Sequence, residues 1–245
     1  MKSNWLALLA GTAALGLGGQ AFAADTMNAT YYVMSPSDPD TGSSYCCSVS
    51  NNEVTTTLGV DGLPVYNAGY GGPTLHDVNV NGELTWWSPS FNADVTETGT
   101  GQITLPFNDS NMYPPGGTGS NDANGFETAV FTGVLHVATS GDVTFDMGSD
   151  DDSILALNNT VIDQVGGVHS VTDPGSVTED LAAGNYNLTL FYADRDQTQA
   201  VLDFSVTGAT VTAVPEPATW ALMLVGFGTL GSGLRLARRR SAVAA

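Results

Sequence analysis

From Phe126 onward, apolar and polar side chains alternate in short runs, and Gly, Asn, Asp, Thr or Pro closes each run. A period of two places successive side chains on opposite faces of an extended chain, whereas a helix needs apolar positions three and four apart. Ala129, Phe131, Leu135 and Val137 fall on one strand face, with Thr128, Thr132 and His136 on the other. Val143, Phe145 and Met147 alternate with Asp142, Thr144 and Asp146. Tyr186, Leu188, Leu190 and Tyr192 alternate with Asn187 and Thr189, and Leu202, Phe204 and Val206 with Asp203 and Ser205. The run Ile154 to Leu157, the turn Asn158-Asn159 and Val161-Ile162 predict a hairpin. Strands with one apolar face each must bury those faces against a second sheet, so the expected fold is an all-β β-sandwich.

Residues 24–125 are richer in loops. Thr30 to Met34, Glu53 to Leu58 and Glu83 to Trp87 are candidate strands between Ser, Asp and Gly turns. Residues 108–125, with Pro114, Pro115 and four glycines, read as a long loop. This region is expected to be a loop-rich extension that forms part of the sandwich, with a core at 126–213.

Both ends are of another kind. Lys2, the apolar run Trp5 to Leu17 and the small-x-small sequence Ala21-Phe22-Ala23 predict a secretory signal over 1–23, cut by signal peptidase after Ala23. At the far end, Pro215-Glu216-Pro217 precedes an apolar segment from Ala218 to Leu234, then Arg235, Arg238, Arg239 and Arg240. That segment is just long enough to span a bilayer, and the arginines would hold it with its C-terminus in the cytoplasm. A Pro-Glu-Pro triplet, a short membrane helix and a basic tail, in that order over 214–240, resemble the PEP-CTERM sorting signal of Gram-negative bacteria. The resemblance implies processing by an exosortase, transient residence in the inner membrane and delivery to the cell surface or extracellular matrix.

Removing the ends changes the charge balance. Within 25–214 there are 24 acidic residues against one basic residue, Arg195, a net charge of −23. Such a surface repels nucleic acid and favours divalent cations. Cys46 and Cys47, the only cysteines, are adjacent. They are either a vicinal disulfide stiffening a loop in an oxidising compartment, or two thiols, or a bridge to another chain.

The densest chemistry lies between Gly148 and His169. Asp150, Asp151 and Asp152 are consecutive. In a regular strand neighbouring carboxylates point apart, so they can converge on one ion only in a sharply bent loop or across a strained peptide. Calcium, which accepts six to eight oxygens in loose geometry, is the ion such a bend suits. A solvated acidic turn is the alternative. Ser149-Asp150-Asp151, the following strand, Asn158-Asn159 and Val161-Ile162-Asp163 resemble the signature of the protective-antigen-type domain. Gly166-Gly167-Val168-His169 resembles the ending of its fibro-slime relative. That resemblance implies a β-sandwich and, in lectin-like members, a calcium held by two adjacent aspartates with sugar hydroxyls completing its shell. Carried over, Asp150 and Asp151 are the calcium ligands. Asp152, which stands where many members have glycine, is a third candidate ligand, and Asp150, Asp151, His169 and Arg195 are the carbohydrate-binding candidates. Asp194, Asp196 or Gln197 could supply further oxygens, and Arg195 is read as an ion-pair partner of Asp194 or Asp196. His76 and His136 are isolated surface candidates. One ring of Trp86-Trp87 could meet a sugar face.

No nucleophile elbow, zinc-protease helix, phosphate loop or dinucleotide fingerprint is present. The expected function is therefore binding rather than catalysis: an exported surface or matrix protein that binds carbohydrate, including exopolysaccharide, through a calcium-supported site. A purely structural biofilm component and a secreted glycan-acting enzyme are the alternatives.

Overall fold

The computed structural model describes residues 24–47, 49–120 and 122–214. The signal segment with Ala21 and Ala23, and the C-terminal segment with Pro215, Glu216, Pro217, Arg238, Arg239 and Arg240, lie outside the described residues. Among the described residues no helix is long and apolar enough to cross a membrane.

In chain order the strands are β1 (Thr26–Met34), β2 (Val54–Leu58), β3 (Pro64–Tyr66), β4 (Val95–Thr104), β5 (Phe107–Asp109) and β6 (Phe126–Val137). There follow β7 (Gly141–Asp150), β8 (Asp152–Leu157), β9 (Thr160–Val165), β10 (Val177–Leu181), β11 (Gly184–Ala193), β12 (Val201–Thr207) and β13 (Thr210–Ala213). They build two sheets. The larger runs β3-β2-β9-β8-β11-β6-β1-β4, with β13 also on β6, and the smaller runs β10-β7-β12-β5. The pattern of alternation therefore predicts the class correctly: this is an all-β sandwich.

Alternation decides which residues meet between the sheets. Phe131 and Leu135 from β6, Phe145 and Met147 from β7, Leu188 and Leu190 from β11 and Phe204 from β12 belong to one buried cluster. The hairpin joining β8 and β9 forms as expected. Asn158 and Asn159 take φ of 48° and 68°, the left-handed pair that a tight two-residue turn requires.

The central strands of the larger sheet are buried on both faces. Ile154 of β8 and Phe191 and Ala193 of β11 point away from the sandwich interior into a second cluster with Met34, Val54, Leu84, Trp86 and Trp87. The early part of the chain thus does more than add β1, β4 and β5 to the edges, because its loops cover the outer face of the larger sheet. The segment Glu83 to Trp87 is not a strand. It makes only isolated bridges, Glu83 to Val65 and Leu84 to Val78, and turns so that both tryptophans enter the core, at 0% and 3% exposure. Neither ring can reach a ligand. Gly125, at φ 84°, lets the start of β6 pass against the end of β1, where a Cβ would collide with the Met34 carbonyl.

Candidate functional site

β7 belongs to the smaller sheet and β8 to the larger, so the chain crosses between them at Asp150-Asp151. The peptide joining these two residues is cis, and both line one cavity of about 360 Å³. Three other loops meet there. Cys46, Cys47 and Val49 come from the β1–β2 connection, Val168, His169, Ser170 and Thr172 from β9–β10, and Asp196, Thr198 and Gln199 from β11–β12.

Asp151 is the fastener of this end. Its Oδ1 accepts the His169 N–H at 2.8 Å, and its Oδ2 accepts the N–H groups of Arg195 at 2.9 Å and Asp196 at 3.2 Å. Burial and the adjacent Asp152 charge nevertheless push its pKa well above the usual carboxylate range. Asp150 is 3% exposed, and its Oδ2 has no hydrogen-bond partner. Burial raises its pKa too. Asp194 behind them is also buried, and burial and the Asp151 charge raise it. His169 is 7% exposed. Its Nδ1 lies 2.9 Å from the Ser170 carbonyl, which can only accept, so Nδ1–H donates there, and Nε2 has no partner.

Two expected site residues are placed elsewhere. Asp152 does not converge with its neighbours: its Oδ2 accepts from Arg195 Nε at 2.7 Å, and its Oδ1 accepts from Arg195 Nη2 at 3.1 Å and from the Gly167 N–H at 2.7 Å. As a strand residue of β8 it takes the opposite direction to Asp151. Burial alone would raise its pKa, but the Arg195 charge and hydrogen bonds outweigh that and hold it below the ordinary value. Arg195 is 0% exposed and therefore cannot touch a sugar through its side chain. Its ion-pair partners are Asp152 and, at 3.6 Å, Glu53, in place of Asp194 or Asp196. The guanidinium carbon lies 4.5 Å from the Trp86 ring centre and 5.7 Å from that of Tyr45. Burial opposes its charge, but Asp152 and Glu53 more than restore it. Burial and then the Asp152 charge push the Glu53 pKa well above the usual carboxylate range.

The remaining candidates resolve plainly. Cys46 and Cys47 form a vicinal disulfide, which selects one of the three readings of the pair. Gln197 is exposed and does not line the cavity, whereas Asp196 does. His76 and His136 are on the surface but not isolated. His76 Nδ1 contacts Tyr45 Oη at 3.1 Å and Asp40 Oδ1 at 3.3 Å, and His136 bonds Asn185 and Thr212.

Sequence reasoning passed over one carboxylate group. Ligand atoms of Asp38, Asp40 and Asp77 lie within 4.8 Å of one another. Asp40 accepts the His76 and Asp77 N–H groups and Trp86 Nε1, while Asp38 accepts Asn92 Nδ2. Asp77 is pushed up to about 8 by burial and by its hydrogen bond and charge contact with Asp38. The three are spread over forty residues of sequence, and no spacing marks them.

Comparison with known families accounts for this arrangement. The model of the PA14 domain matches residues 79–220, and that of the PEP-CTERM protein-sorting motif matches residues 213–240. The chain belongs to the PA14 domain family, as its sequence signature implied. Its C-terminal motif directs export and sorting to the cell surface or extracellular space, with processing by an exosortase.

Solved structures similar to the chain include the PA14 sugar-binding domain from an RTX adhesin, at 12% identity and a TM-score of 0.37, over 78% of this chain and 96% of that one. Another is the epithelial adhesin 9 A domain from Candida glabrata in complex with Galb1-4GlcNAc, at 12% identity and 0.34, over 77% and 85%. A third is a GH31 alpha-xylosidase from Xanthomonas citri, at 15% identity and 0.33; the match spans 44% of this chain and only 12% of the xylosidase. Comparison with curated protein sequences gives no match.

Proposed function

We propose that the cavity at the β7–β8 crossing holds a calcium ion on Asp150 and Asp151 and binds a carbohydrate whose hydroxyl groups complete the ion's shell. The exported protein would then adhere to polysaccharide at the cell surface or in the matrix around it. Membership of the PA14 family supports this reading, and one observation carries it. Asp150 Oδ2 is a buried carboxylate oxygen without a partner, on the wall of an open cavity. An unpaired buried carboxylate is costly, and a bound cation removes that cost.

The donor set suits the ion. Carboxylate oxygens are hard ligands of the kind calcium takes, and no thiolate is available because both cysteines are oxidised. The surplus of negative charge is local as well as global. Asp150, Asp151, Asp194 and Asp196 gather at this end, while the one guanidinium is committed to Asp152 and Glu53. When bound, calcium would supply the charge that lets crowded carboxylates ionise together and would polarise hydroxyl groups brought to it. The chain's own residues do the rest. Asp151 locks the β9–β10 and β11–β12 loops in place through its backbone contacts, and His169 Nε2 offers an acceptor to a hydroxyl donor.

The test is calcium titration by calorimetry together with a glycan array read with and without chelator. Calcium-dependent glycan binding, lost on chelation, is the expected result. Calcium binding with no glycan bound in either condition would mean that the ion only braces the fold.

A further inference from the structure

The cavity has one wall that calcium chemistry does not use. Cys46, Cys47 and Val49 are exposed at its rim, Val49 at 55%, and Val168 is buried beside them. We infer that the Cys46–Cys47 vicinal disulfide is a ligand-contacting surface of this site, against which the C–H face of a pyranose ring packs while its hydroxyl edge is held at Asp150 and Asp151. This rests on the carbohydrate reading above and names the part of the sugar that the rest of the site leaves unread.

The argument starts from what oxidation does to the pair. Joined to each other, the two sulfurs carry no S–H donor, so their exposed surface is apolar and polarizable. Closing adjacent residues into one ring also removes side-chain freedom, and a wall already rigid loses little entropy when a ligand settles on it. Export to an oxidising compartment keeps such a bond closed.

The ring is also held in register with the carboxylates. The Cys47 N–H donates to the Val168 carbonyl at 3.0 Å, one residue before His169, whose N–H binds Asp151. On the other side of the loop, the Gly42 N–H donates to the Arg195 carbonyl at 2.7 Å, and the Arg195 N–H binds Asp151 Oδ2. Two backbone routes of this kind, both ending on Asp151, fix the disulfide relative to the proposed ion. Tyr45, the residue before the ring, packs over the Arg195 guanidinium and anchors the loop from below.

A pyranose is amphipathic in the same sense as this cavity. Its hydroxyl edges donate to acceptors such as Asp150 Oδ2 and His169 Nε2, and its C–H face needs apolar contact. In many sugar sites an aromatic plane meets that face. Here Trp86 and Trp87 are buried in the core, and no Phe, Tyr or Trp among the described residues lines the cavity. The disulfide and Val49 are the apolar surface on offer.

The experiment compares the wild-type protein, Cys46→Ser with Cys47→Ser, and Val49→Ser on one array of neutral mono- and disaccharides at saturating calcium, with calcium isotherms measured in parallel. The double variant is expected to bind calcium within about twofold of wild type, and to bind the glycans that wild type retains at least tenfold more weakly. Val49→Ser, an exposed substitution with no bracing role, is expected to weaken the same glycans severalfold. Equal glycan binding by wild type and both variants would overturn the inference and leave the carbohydrate reading standing. A wild type that binds calcium but no sugar on the array would overturn both. Should the double variant lose calcium along with sugar, Val49→Ser decides: unchanged glycan binding there also sinks the inference.

Discussion

Arg195 Nε donates to Asp152 Oδ2 at 2.7 Å in a place where the side chains are 1% and 0% exposed. The pair joins the start of β8 to the loop after β11. Through Arg195 Nη1, which donates to the Asp40 carbonyl at 3.2 Å, it also reaches the early part of the chain. Removing one partner of such a buried pair strands the other charge. Arg195→Met is therefore expected to lower stability by about 3–5 kcal/mol, read by urea unfolding. Combining it with Asp152→Asn should recover part of that loss. A single variant as stable as wild type would contradict the assignment.

Asp150 and Asp151 should separate function from stability. Asp150 Oδ2 has no hydrogen bond to lose, and an amide oxygen can still accept the Val171 N–H, so Asp150→Asn should leave calcium-free stability within about 0.5 kcal/mol of wild type or above it while abolishing calcium binding by calorimetry. Asp151→Asn should lose both. Its two oxygens accept three backbone N–H groups, and an amide –NH2 would face at least one donor, at a cost of about 1–3 kcal/mol.

Calcium should raise the melting temperature by mass action. An ion that binds only the folded chain stabilises it by about 2.7 kcal/mol at a hundredfold excess over its dissociation constant. Scanning calorimetry with calcium and then with chelator is expected to show a shift that reverses. The Asp150→Asn protein should show none.

Without calcium, stability should fall as pH rises from about 4 to about 8. Asp77 is raised from 3.8 to about 8 by burial and Asp38, and Glu127 from 4.5 to about 7 by burial and Asp109. Between the ordinary and raised values, the unfolded chain has released these protons and the folded chain keeps them. Folding therefore takes up protons, and stability falls as pH rises through that window. Asp152, lowered by Arg195 against the effect of burial, has the opposite sign, and its contribution is lost below its ordinary value. Melting temperatures from pH 4 to 9 test this, and Asp77→Asn should flatten the decline above pH 5.

The turn at Asn158-Asn159 offers a smaller test. Asn159, at φ 68°, occupies a conformation that costs a side-chain-bearing residue more than glycine. Asn159→Gly should change stability upward by about 0.5 kcal/mol or less, measured by denaturant midpoint.

Much of the sandwich was legible in the sequence because a period of two is a local property. Val143, Phe145 and Met147 declare their common face within five residues, and the hairpin at 158–159 needs only its own turn residues. The adjacent aspartates were legible too, as a place where the chain had to bend. The Asp38, Asp40 and Asp77 group was not, since nothing local distinguishes three acids among twenty-four.

Three consecutive carboxylates are identical in sequence, yet only folding gave them separate tasks. Asp150 turns one unpaired oxygen to the cavity, Asp151 fastens two loops, and Asp152 turns to Arg195, 43 residues away. Sequence alone determined that the exported part is an acidic double sheet with a single base, because alternation and charge count are written residue by residue. Which carboxylate that base would neutralise, where both tryptophans would go, and that Cys46-Cys47 would stand at the mouth of the cavity were decided by closure of the chain. Contacts between distant segments depend on how strands pair and cross, and no short stretch of residues carries that information.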